Sequence, residues 1–337
     1  MRMRAIGMAM GMAAALAGTA AGQRFRGHMH SEIVDGGRRM TIDANGELRF
    51  TDDDEIESVG PGGRLVIEEE RPSSPGRRVE FRDEGGTLRR RFFREGRETA
   101  AGAADEAWIR EAMLELVRES GVNAEARVAR IHRRGGTAAV LEEIRHVSSD
   151  GAKRAYYTAL LRQPGLRAGE TAEVLEDAGR RIASDGDKRS VLATVLERPS
   201  LRVDEMAAML RATARIASDG DRSSLLVRAA DRDPLAAAEV RDAFFASTRA
   251  IASDGDRSRV LIAALTRPDA RRDVALAAVR TARGIASDGD KSRVLMSVPA
   301  MYLRDGEVRA ALLDAMRGIS SDGDRSRVAI WLARSQP

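Results

Sequence analysis

Six times along this chain one short string returns. Ser149-Asp150-Gly151-Ala152-Lys153-Arg154 comes back as Ser184-Asp185-Gly186-Asp187-Lys188 and Ser218-Asp219-Gly220-Asp221-Arg222. It follows again as Ser253-Asp254-Gly255-Asp256-Arg257, Ser287-Asp288-Gly289-Asp290-Lys291 and Ser321-Asp322-Gly323-Asp324-Arg325. Successive serines are 35, 34, 35, 34 and 34 residues apart. A period so constant marks one supersecondary unit used repeatedly, and such a unit must lean on its neighbours to bury an apolar face.

The flanks say what the unit is. Val174, Ala178 and Ile182 precede one motif at four-residue intervals, the spacing of a helix stripe, and Val191, Leu192, Val195 and Leu196 follow it as a second stripe. Pro199 then closes the unit, as Pro164, Pro234, Pro268 and Pro299 close others, because proline cannot continue a helix. Two short helices joined at the motif, six times over, predict an α-solenoid of helix pairs across residues 137–337. Within the motif, Ser184 is placed to cap the second helix by accepting from the Asp187 N–H, while Asp187 reaches back to the Ser184 N–H. Asp185 and Asp187 also put negative charge at a positive helix start. A competing reading ends the first helix on a left-handed Gly186 and caps the next with Asp187. In the first copy Ala152 stands where the second aspartate is expected, so a reciprocal box fails there.

Before the repeats the period is two. Arg64-Leu65-Val66-Ile67 and Arg78-Val79-Glu80-Phe81-Arg82 read as strands, with turns at Gly60-Pro61-Gly62-Gly63 and Asp83-Glu84-Gly85-Gly86. Asn45-Gly46 predicts a further hairpin turn. The expected result is a small antiparallel β meander or roll of five to seven strands over residues 23–100. The acidic run Asp52–Glu55 and the basic run Arg89–Arg91 are expected on solvated turns and edges. Trp108, Ile109, Met113, Leu116 and Val117 then share a helix face that Gly121 terminates, and a second helix runs from Asn123 to Gly135-Gly136. These connecting helices occupy residues 101–136. The predicted fold class is therefore α+β in two parts, a small β domain and then a helical stack.

Charge and composition narrow the function. Residues 1–22 combine Arg2 and Arg4, an uncharged run Ala5–Ala20 and small residues before Gln23, the pattern of a cleaved export signal. The expected location is therefore outside the cytoplasm, periplasmic or extracellular, with no transmembrane segment after cleavage. The 56 basic and 52 acidic side chains give a net charge of +4, and +2 without those two arginines, no footprint for a nucleic acid. Cysteine is absent, which excludes disulfides and thiol chemistry.

The repeated Ser-Asp-x-Asp-Lys/Arg followed by helical apolar pairs resembles the Ser-Asp-Tyr-rich repeats of certain exported bacterial proteins. It is similar also to the outer region of antirepressor-type membrane zinc peptidases related to β-lactam sensors. The likeness runs over about residues 25–335 and takes in Trp108 and Gly121-Val122-Asn123-Ala124. It implies an envelope location and a HEAT-like stack. Glycine replaces the usual tyrosine here and the His-Glu-x-x-His zinc motif is absent, so peptidase activity is not implied.

Catalysis finds little footing. One loop offers calcium at most three ligands, Ser184, Asp185 and Asp187, where six to eight oxygens are needed. Nucleophilic serine needs a base, and the four histidines, His28, His30, His132 and His146, lie outside the last five units. His28 and His30 share a strand face, yet two ligands make a poor metal site. Ser149, Asp150 and their counterparts are thus structural, with no catalytic, metal or cofactor role expected, and Lys188, Arg222, Arg257, Lys291 and Arg325 are expected in solvated inter-unit ion pairs. The chain reads as a non-enzymatic exported scaffold offering a helical-repeat surface to a protein or peptide partner. The alternative is an envelope sensor whose β domain binds a small ligand or glycan and relays through the stack.

Overall fold

The computed structural model describes residues 23–72 and 74–335, so the expected export signal lies outside the described residues. A seven-stranded antiparallel sheet is followed by thirteen α-helices in series. The strands are β1 (Gln23–Asp35), β2 (Arg38–Phe50), β3 (Ile56–Val59), β4 (Arg64–Arg71), β5 (Ser74–Glu84), β6 (Thr87–Arg94) and β7 (Arg97–Thr99). Their order is β1-β2-β4-β5-β6-β7, with β3 also paired to β2. Chain contacts divide the described residues into two compact units, the division falling between Leu160 and Leu161.

In the first unit the alternation of β2 and β4 turns Met40, Ile42, Ala44, Leu48, Leu65 and Ile67 to one face of the sheet. Helix α1 (Ala103–Ser120) covers that face with Trp108, Ile109, Ala112, Met113, Leu116 and Val117, one continuous core. The boundary expected near residue 100 therefore does not separate this helix from the sheet, because neither buries its apolar side alone. At the rim of the core Glu69, 2 % exposed, accepts from Arg38, Arg71 and Arg77, and Arg38 also reaches Glu115 of α1. Burial pushes the Glu69 carboxyl up, but the three guanidinium groups outweigh it and hold it at about 2.

Two local expectations are corrected in this unit. Asn45-Gly46 makes no hairpin: β2 runs through it, and the turn before β2 uses Gly36-Gly37 instead. Gly46 has φ +91°, and a Cβ there would stand 2.7 Å from the Gly63 Cα, so the glycine serves close strand approach. Nor is the acidic run wholly solvated, for Asp54 is buried against Asn123 and against Arg127 and Arg130 of the helix α2 (Ala124–Ile144). A carboxylate with three charge-assisted donors can afford burial that a lone one cannot. The helix ends conform: Gly121 adopts the left-handed φ of +69°, and Gly136 breaks α2 with φ +67°. Helix α3 (Asp150–Leu161) begins at the first motif copy.

The second unit is built of helix pairs. They are α4 (Ala168–Arg181) with α5 (Asp185–Leu196), α6 (Val203–Ala212) with α7 (Asp219–Ala230), and α8 (Ala238–Arg249) with α9 (Asp254–Leu265). Helices α10 (Arg272–Ala282) and α11 (Asp288–Met296), then α12 (Gly306–Arg317) and α13 (Asp322–Arg334), complete the series. The first helices of the pairs pack on one another in order, α4 to α12, and so do the second helices, α5 to α13. Two helical layers result, with the core between them at Val191, Leu192, Leu225, Leu226, Val260, Leu261, Val294 and Leu295. No described helix is long and apolar enough to cross a membrane.

Candidate functional site

The motif residues of the last five copies line one edge of the second unit, and their geometry is nearly identical from copy to copy. Ser184, Ser218, Ser253, Ser287 and Ser321 each accept at Oγ from the backbone N–H three residues on, at 3.2 to 3.3 Å. In the first copy Ser149 does the same for Ala152 at 3.3 Å, so the cap survives without the aspartate. Gly121 packs against that alanine, a Cβ on the glycine falling 3.0 Å from the Ala152 Cα. The motif glycines keep negative φ inside the first turn, which eliminates the left-handed alternative in favour of the serine cap.

The returning half of the capping box is a correction. The Ser218 N–H is taken by Asp185 of the preceding copy, at 2.7 Å, and the same Oδ2 accepts from Ala217 at 3.0 Å. Asp219 holds Ala252 and Ser253, Asp254 holds Ala286 and Ser287, and Asp288 holds Ser320 and Ser321, all between 2.8 and 3.1 Å. A carboxylate from one repeat thus seats the next helix start. The fourth-position acids turn elsewhere: Asp221 pairs with Arg189 at 2.9 Å, and Asp256 accepts from Ser223 and Arg259. Burial pushes the Asp185 carboxyl up, yet the Lys188 ammonium and the Ser218 and Ala217 N–H groups hold it below the usual carboxylate range.

The basic members do not form a solvated ladder of ion pairs either. Arg222 is buried and donates to the Ile216 carbonyl and, at 2.6 Å, to Ala250 of the next repeat. Arg257 binds Ile251 and, at 2.7 Å, Gly284, while Lys291, also buried, reaches Gly318 at 2.8 Å. These cations serve carbonyls at the ends of the first-layer helices, where the backbone is electronegative. The motif serine hydroxyls and the Asp185, Asp219, Asp254 and Asp288 carboxylates are committed to the main chain, Lys188 pairs with Asp185 at 2.9 Å, and among the described residues no group of three metal-ligating side chains occurs.

A second ladder, not singled out by the sequence reading, runs along the loops at the other end of the second-layer helices. Arg198 donates to Leu161 at 2.8 Å, Arg232 to Arg198 at 2.6 Å, and Arg267 to Ala230 and Arg232 at 2.5 Å. In the next repeat the Tyr302 hydroxyl replaces arginine and donates to Ala270 at 2.7 Å. The signal was present, since these arginines are 34 and 35 residues apart and sit one or two places before the closing prolines. Arg198 divides its guanidinium among Leu161, Thr171 and the buried Glu205. Beside it a cleft of about 490 Å³ opens between the loops around Gly165 and Ser200, rimmed by Arg162, Glu197 and Arg202. The corresponding gap around Arg267 and Asp269 holds about 20 Å³.

No protein-family model, curated protein or solved structure matches this chain.

Proposed function

We propose that this chain is a non-enzymatic exported protein whose helical unit offers the loop cleft beside Arg198 to a protein or peptide partner in the cell envelope. The observation that carries the reading is the difference in volume between that cleft and its counterpart two repeats on. An opening of this size accommodates a few residues of an extended segment. Its rim supplies both charges, Arg162 and Arg202 against Glu197, which suits a polar peptide better than an apolar ligand. The acceptance of a backbone N–H by each motif serine hydroxyl, in a capping geometry, supports a structural role, because a nucleophile needs its hydroxyl beside a base. The pattern of residues 1–22 and the resemblance to envelope repeats support export.

The test is capture from an envelope extract with the full chain and with Ser200→Trp, which fills an exposed cleft wall. The expected outcome is a specific partner lost with Ser200→Trp and retained with Arg280→Ala on α10, at unchanged urea midpoints. Equal capture by all three proteins would discard the cleft as the site.

A further inference from the structure

The face of the sheet turned away from α1 carries charge in rows, because antiparallel register sets residues of neighbouring strands directly opposite one another. Four opposed pairs on this face combine opposite signs: Arg26 with Glu47, Arg39 with Glu70, Glu68 with Arg78, and Glu80 with Arg91. Two places depart from that rule: Arg24 stands opposite Arg49, and one longer row is basic over three strands. His28, Asn45, Arg64, Arg82 and Arg89 lie in register across β1, β2, β4, β5 and β6. Three arginines therefore stand side by side, about 10 Å from first to last at the spacing of paired strands. Like charges directly opposite one another work against sheet stability, and this row sets two such pairs in succession.

The three guanidinium groups are 48, 44 and 66 % exposed. Each touches one carboxylate, Asp43, Glu80 and Glu84 respectively. A guanidinium has five donors, and one such contact leaves part of the fork directed to solvent. We infer that this row is a binding surface for a linear, carboxylate-bearing polysaccharide lying across the strands. The width of the row decides the shape of the ligand. The next row on one side runs His30, Asp43, Val66, Glu80 and Arg91, and Arg26, Glu47 and Glu84 flank the other, each step about 7 Å along the strands. Only the central row is unbroken by carboxylates, so its width suits a single chain better than a broad polyanion such as a nucleic-acid duplex. A single nucleic-acid strand needs aromatic platforms on which bases stack, and the neutral places in this row are His28 and Asn45. These suit sugar hydroxyls, while the arginine forks match carboxylates two bonds at a time.

This inference is independent of the loop cleft, and its test is separate. Affinity electrophoresis of the full chain through polygalacturonate, at a series of salt concentrations, reads the interaction directly. Neutral dextran, polyphosphate and single-stranded DNA are the comparison matrices. The expected result is salt-sensitive retardation by polygalacturonate and none by dextran. Arg64→Gln/Arg89→Gln should weaken it about tenfold with a flatter salt dependence, at an unchanged or higher urea midpoint. The paired lysine variant, which keeps charge and loses the fork, should bind with intermediate strength, and Arg39→Gln on the same face should bind normally. No retardation by polygalacturonate, or equal retardation of the glutamine variant, overturns the assignment. Tighter binding to polyphosphate or DNA overturns it as well.

Discussion

Asp254 and Asp256 are two residues apart in one motif and do different work. Asp254 accepts two N–H groups of the next repeat, whereas Asp256 receives Ser223 and Arg259 near the surface. Hydrogen bonds to a charged acceptor contribute about 1.5 to 3 kcal/mol, and exposed ion pairs under about 1. Asp254→Ala should therefore lower stability by about 2 kcal/mol or more, and Asp256→Ala by less than about 1, in paired urea titrations. Ser253→Ala, which removes the cap itself, should cost about 1 kcal/mol. Glu69 offers a residue-scale test of pH. Its folded-state value of about 2 lies below the ordinary 4.5, so its contribution is complete above 4.5 and is lost as pH falls from there toward 2. Acidification through that window should unfold the first unit, followed by Trp108 fluorescence in a Trp331→Phe background. Glu69→Gln should start less stable at neutral pH and show a shallower decline across the same range.

At the scale of elements, packing outweighs capping. Leu226 of α7 is fully buried between the layers, and Leu226→Ala should cost about 2 to 5 kcal/mol, more than any single cap. Helix α1 is bound to the sheet by its apolar face, where Trp108 also meets Phe92 edge-on and lies under the Arg77 guanidinium at 5.0 Å. The turn into α2 allows little substitution: Gly121→Ala places a methyl group against the Ala152 backbone at a left-handed φ, and should destabilise by more than about 1 kcal/mol. A denaturant titration in which Leu226→Ala and Ser253→Ala cost the same would show that the layer assignment is wrong.

For the whole molecule the question is how far each repeat depends on the next. Both ladders run from one repeat to its neighbour, so the helical unit should behave as a chain of nearest-neighbour couplings. Deleting residues 303–337, and then 269–337, should lower the urea midpoint in successive steps and the helical ellipticity in proportion. Complete loss of helix on the first deletion would contradict nearest-neighbour coupling. Much of this architecture is legible in the sequence alone. The constant spacing of six serines, the apolar stripes and the closing prolines determine helix pairs that must stack, and two-residue alternation determines the antiparallel strands. The serine cap is also legible, being a contact within one turn. The destinations of charged side chains are not. Asp185 reaching Ser218, Arg222 reaching Ala250, Asp54 buried under Arg127 and three arginines aligned across the sheet depend on pairings between residues 7 to 73 apart. Local pattern encodes which face of an element is apolar. Which polar group stands opposite a given charge is decided only when packing brings distant backbone within hydrogen-bond reach.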